Sequence, residues 1–147
     1  MGLSLRRFAA LPVGPLLAYV VLSTLFLPAC TRTAALYNPP RVSFAPEEKT
    51  AVERAIVAGI AKRGWIPTRE GPGVMLGTLH LRTHTAVVRI EYTEDSYQLT
   101  YLRSDNLNYA REKNGSEVIH RNYNAWVQNL VKDIDAQLFA APASEVK

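Results

Sequence analysis

Three histidines, His80, His84 and His120, are the first residues of this chain suited to acid–base chemistry or metal binding, because imidazole is a base near neutral pH and a common ligand. His80 and His84 stand four apart in a strand-like run, which separates them by about 13 Å if the strand stays extended. That is too far to share a zinc ion, and only a turn beginning at Thr83 brings them closer. No cysteine or acidic cluster accompanies them. The expectation is ordinary surface or hydrogen-bonding histidines, with no metal and no cofactor. A nucleophile arrangement can be written from Ser104, Asp105 and either His84 or His120, but RSDNL lacks the flanking glycines of a sharp nucleophile turn. Ser104 and Asp105 read more simply as the start of a turn.

Two runs are denser in polar and aromatic residues, Arg103 to Tyr109 and Ile119 to Trp126. Within the second, His120 and Asn124 are one helical turn apart at the rim of an apolar stripe. They either hydrogen-bond the backbone of the 104 to 108 loop or contact a ligand. With them, Arg82, His84, Asp105 and Asn106 complete the set of candidate ligand or partner contacts. Seven tyrosines and two tryptophans would furnish a stacking platform for carbohydrate. However, Tyr92, Tyr97, Tyr101, Tyr123 and Trp126 fall on core faces, so most are packing residues.

The elements that must position these residues follow from periodicity. A helix is expected from Pro46, with Glu47 and Glu48 at its positive end, Lys62 and Arg63 at its negative end, and Val52, Ile56, Gly59 and Ile60 as its buried stripe. Gly64 suits a left-handed cap that returns Trp65 onto Ile60. Two prolines and two glycines make Ile66 to Gly73 a loop, with room for a short edge strand at Trp65 and Ile66. Val74 to Arg82, Ala86 to Thr93 and Tyr97 to Leu102 each alternate apolar and polar residues, and their short connections demand antiparallel neighbours. Ser116 is placed to cap a second helix carrying Ile119, Tyr123, Trp126, Val127, Leu130, Ile134 and Leu138. The expected fold is therefore two-layer α+β, in the order α-β-β-β-α, with a three-stranded meander under two helices. Its open face is expected to be polar, carrying Thr78, His80, Arg82, Arg89, Glu91, Gln98 and Thr100.

The front of the chain differs in kind. Arg6 and Arg7 precede a nearly uninterrupted apolar stretch, Ala9 to Leu27, which reads as a targeting segment. Pro12 and Pro15 and the lack of a basic stop-transfer cluster argue against a membrane span. Leu27-Pro28-Ala29-Cys30 resembles the lipobox of bacterial lipoproteins, in which the cysteine is lipidated and becomes the mature N-terminus; Pro28 departs from the usual small residue there. The resemblance implies a leader at 1–29, a lipidated Cys30, a tether to residue 46, a domain at 47–140 and a frayed tail at 141–147. Thr31 is not the aspartate associated with inner-membrane retention, so the implied address is the outer membrane facing the periplasm, with the inner membrane as the alternative. Without the leader the net charge falls from +4 to +2, as 15 basic residues face 13 acidic ones. Basicity this slight gives no reason to expect nucleic acid as a partner.

Arg63-Gly64-Trp65, Arg82-Thr83-His84-Thr85-Ala86, Tyr101 to Leu107, and Ile119-His120 with Tyr123-Asn124 and Trp126 are similar to a set of small, uncharacterised lipoproteins of Gram-negative bacteria, over roughly Val52 to Leu138. That resemblance implies the anchor and the compartment but no activity. The expected function is non-catalytic binding of another envelope protein or of cell-wall material. Strand addition at the edge Val74 to Arg82 is one mode of such binding. Two alternatives stand beside it: a small hydrolase or metal-dependent enzyme using His84, Asp105 and His120, and a structural accessory of an outer-membrane assembly machine.

Overall fold

A computed structural model describes residues 32–140; the expected leader and the start of the expected tether, residues 1–31 with Cys30 among them, and the expected tail at 141–147 lie outside the described residues. In chain order the elements are β1 (Thr33–Ala35), β2 (Val42–Ser43), α1 (Lys49–Ala61), β3 (Ile66–Gly71), β4 (Val74–Leu81), β5 (His84–Tyr92), β6 (Ser96–Asp105), β7 (Ala110–Arg111), β8 (Glu117–His120) and α2 (Arg121–Leu138). The fold is α+β. A five-stranded antiparallel sheet has the order β2-β6-β5-β4-β3, and a second sheet has the order β1-β8-β7. No helix among the described residues is long and apolar enough to cross a membrane.

The expected meander is the centre of the larger sheet. β4, β5 and β6 pair in register, with Gly77 opposite Val88 and Ile90 opposite Leu99, and a bulge at Val87/Val88 tilts the end of β6. Met75, Leu79, Ala86, Val88, Ile90, Tyr92, Tyr97 and Leu99 are buried beneath the two helices. Each fully buried aliphatic side chain stabilises the fold by about 1.5–3 kcal/mol. An exposed ion pair such as Arg89 with Glu70 and Glu91 contributes about 0–1 kcal/mol, so the apolar layer dominates.

Val52, Ile56, Gly59 and Ile60 form the buried stripe of α1, as their spacing predicts. The helix runs antiparallel to α2, since Gly59 faces Ile134 while Arg63 and Lys62 reach back to Asp133. A β-carbon at Gly59 would lie 2.6 Å from the Ile134 α-carbon, so the two backbones touch there and only glycine fits. Beyond the helix Gly64 takes φ +78°, and Trp65 is returned into the core. The helix starts at Lys49 instead of Pro46 because Glu48 is extended, at φ −59° and ψ 132°, and serves as the N-cap; ahead of it the Glu47 N–H donates to the Glu94 carbonyl of the β5–β6 turn at 2.8 Å.

Four expectations need correction. The 30–46 tether is not featureless over its described part: β1 pairs with β8, β2 pairs with β6, and Tyr101 N–H donates to Asn38 Oδ1 at 2.8 Å. The second helix begins at Arg121, not after Ser116, because Glu117 to His120 is the strand that β1 requires. Ile66 to Gly71 is a full strand, so β4 is paired on both sides and Val74 to Arg82 is no edge. Lastly, the open face is not uniformly polar, since Val87 is buried there, Leu76 is half-buried and Ile66 is exposed.

Candidate functional site

At one end of the larger sheet the β4–β5 turn, the end of β6 and the start of α2 converge, and most of the expected contact residues meet there. Arg82 occupies the turn at φ 56°, between the paired residues Leu81 and His84. Asn106, also left-handed at φ 56°, donates from Nδ2 to Thr83 Oγ1 at 3.0 Å and so braces that turn. Asparagine tolerates this region better than most residues. Leu107, wholly buried, anchors the loop from inside, and its carbonyl accepts from the His120 N–H at 2.7 Å.

The two imidazole rings lie 6.0 Å apart between centroids, and Trp126 stands 6.3 Å from His84. Their bonding assigns different tautomers. His84 Nδ1 sits 2.6 Å from the Asn106 carbonyl and therefore carries the proton it donates. His120 Nδ1 accepts from the Asn122 N–H at 3.2 Å, capping α2, and is bare. A metal on His120 Nε2 would ordinarily call for a proton on Nδ1, where that N–H already points. Among the described residues no three His, Cys, Asp or Glu side chains gather as a ligand set. His80 is elsewhere, beside Thr85 Oγ1 at 3.1 Å.

A nucleophile triad is not assembled. The Ser104 hydroxyl is 2.9 Å from the Tyr101 hydroxyl, and Asp105, exposed at the end of β6, is hydrogen-bonded to neither histidine. Asn124 turns away from the 104 to 108 loop: it donates to the Ala35 carbonyl at 2.8 Å and accepts from the Tyr37 N–H at 3.1 Å. It thus pins the segment after β1. Beneath this corner the Tyr123 hydroxyl is buried without a partner among the described residues, and burial pushes its titration well above the ordinary phenol range.

A second region was missed by sequence reasoning. α1 and β3 flank a groove of about 400 Å³, walled by Glu53, Val57, Ala58 and Ala61 of the helix and Arg69 of the strand. Glu53 orders its floor, pairing with Arg69 and accepting from the Tyr92 hydroxyl at 2.8 Å. Along the groove runs the free edge of β3. Pro67 faces Gly77 and has no N–H, so that pair is of the non-hydrogen-bonded kind, and alternation turns the backbone of Pro67 and Arg69 away from β4. The edge therefore offers the Arg69 N–H and two carbonyls. Among the described residues, Arg54 on the groove wall has no ion-pair partner, and its Nε donates to the Thr50 carbonyl at 3.4 Å. The one hint in the sequence was the small apolar pair Ala58 and Ala61, lying just off the helix's buried stripe.

At the level of class, fold and site define a two-layer α+β domain with a braced polar corner at one end and an apolar groove along one edge. Comparison with protein-family models, with curated proteins and with solved structures gives no match.

Proposed function

We propose that the protein is an envelope lipoprotein, anchored in the outer membrane through Cys30 and facing the periplasm, whose domain acts by binding and not by catalysis. Its partner is another envelope protein, which contributes an extended apolar segment bearing a carboxylate. That segment adds as a strand along β3 and sets alternate side chains into the α1 groove. The observation that carries this reading is the free β3 edge lying directly beside the groove. An added strand lies about 4.8 Å from its neighbour, so backbone bonds supply affinity while the groove selects side chains. Arg54 suits a carboxylate at the rim. The polar corner supports binding over hydrolysis, because the amides of Asn106 and Asn124 and Nδ1 of both imidazoles are engaged in bonds within the fold.

Panning a displayed library of extended peptides on the purified full chain tests this. Selected peptides are expected to be apolar with an acidic residue, to protect the Arg69 amide from exchange, and to lose at least tenfold in affinity against Ala58→Trp, which fills the groove from an exposed position. Peptides that bind Ala58→Trp equally well, or no selected peptide at all, would overturn the groove as the binding site.

A further inference from the structure

Strand β1 begins at Thr33, three residues beyond Cys30. Three residues span at most about 10 Å. If Cys30 carries the acyl chains, the end of the domain that holds Thr33 must therefore rest close to the headgroups, not stand off from them. What lies at that end is set by pairing. Thr33 is opposite His120, and the Arg121 N–H donates to the Arg32 carbonyl at 3.0 Å. His120 neighbours His84, and His84 follows the turn that carries Arg82. Arg32, Arg82 and Arg121 are all exposed, and none has an ion-pair partner among the described residues. Asp105 is the carboxylate at the end of the neighbouring strand β6, leaving the three arginines in excess.

We propose that this corner is a membrane-docking face, with Arg32, Arg82 and Arg121 binding the phosphates of anionic lipid headgroups. The inference rests on the lipid-anchor reading above and adds an orientation to it. Guanidinium matches phosphate oxygens in a two-pronged geometry. Each arginine near an anionic surface strengthens attachment about fivefold, an effect confined to roughly one Debye length of about 8 Å. The covalent link holds Arg32, two residues beyond Cys30, within about 7 Å of it and so inside that range, and the Arg121 N–H is bonded to the Arg32 carbonyl. The α1–β3 groove, on a different part of the domain, stays available to a partner.

The test uses the full lipidated protein, extracted and reconstituted in phosphatidylcholine vesicles with or without phosphatidylglycerol. Acylation occupies the Cys30 thiol, so a single introduced cysteine accepts a fluorophore. Asn122→Cys reports the corner, and Glu94→Cys reports the far end of β5, about 30 Å along the strand. With phosphatidylglycerol present, a headgroup-attached nitroxide should quench the Asn122→Cys probe several-fold more than the Glu94→Cys probe. Salt, or the combined change Arg32→Gln, Arg82→Gln and Arg121→Gln, should lower the difference to the smaller one that the tether alone gives in phosphatidylcholine, while the thermal melt is retained. Equal quenching of the two probes, or a phosphatidylglycerol-dependent increase that survives the triple change, would overturn the docking face and leave the anchor standing. Mass measurement on the same sample separates the two readings, since an unacylated Cys30 removes both.

Discussion

The histidine corner and the α1–β3 groove are built from opposite materials. At the corner, chemically capable side chains use their polar atoms within the fold: His84, His120 and Asn124 bond the backbone of Asn106, of Asn122, and of Ala35 and Tyr37, and Asn106 bonds the Thr83 hydroxyl. Along the groove Val57, Ala58 and Ala61 form an apolar wall between the charged Glu53, Arg54 and Arg69, while among the described residues the outer edge of β3 has no partner strand. Residue types able to do chemistry thus mark where the fold is stitched together. The proposed binding site lies where the sequence offers no catalytic residue pattern.

The largest test of this contrast is Gly59→Val. The groove wall is held by backbone contact between α1 and α2, so the added side chain should cost about 2–3 kcal/mol by overpacking, read as a lower urea midpoint. An unchanged midpoint would mean that the helices are not seated as described. Next is Asn124→Ala, which leaves the Tyr37 N–H and the Ala35 carbonyl unpaired and should cost about 1–3 kcal/mol. Amide exchange should rise first at residues 33–37. Exchange rising evenly along the chain would deny Asn124 its role as a local brace.

Between the two regions, Asp133 ties the end of α1 to α2. Burial pushes its carboxyl up, but the Arg63 and Lys62 cations together outweigh burial and hold it below the usual carboxylate range. A carboxyl depressed in the folded state contributes stability that is present above its unfolded value, near 3.9, and lost as pH falls through the lower folded value. Both cations are about half exposed, so solvent screening limits the effect to about 1 kcal/mol. The wild type should lose more stability than Asp133→Asn between about pH 5 and pH 2, measured by urea unfolding. Equal losses would remove the pair from the account.

The smallest effect has the opposite sign. Tyr123→Phe deletes a buried hydroxyl that has no partner among the described residues and should be neutral or stabilising, by up to about 1 kcal/mol. A clear loss of stability would reveal a hidden partner for that hydroxyl.

What the sequence made legible was local. The α1 stripe, the Gly64 reversal and the three central strands each declare themselves within a dozen residues, because periods of 2 and 3.6 are properties of contiguous chain. β1, β2 and β8 are short strands that exist only through distant pairing; Thr33 of β1 and His120 of β8, for example, are partners. Overlooking β1 as a partner for β8 accounts for two errors together, the featureless tether and the helix begun too early. Prolines and glycines around β3 hid an edge strand, since Pro67 turns its missing N–H outward and does not interrupt the ladder. At the site, the spacing identified residues that do converge, His84, Asn106 and His120. Their bonding partners were not legible, and those partners decide between bracing and chemistry.

The most direct measurement of the central claim is backbone amide chemical-shift mapping of the full chain, titrated with a peptide selected on it. Perturbations concentrated at residues 66–71 of β3 and along 51–61 of α1, with His84, Asn106 and His120 unmoved, are the predicted result. Perturbations centred on His84, Asn106 and His120, with β3 silent, would contradict it.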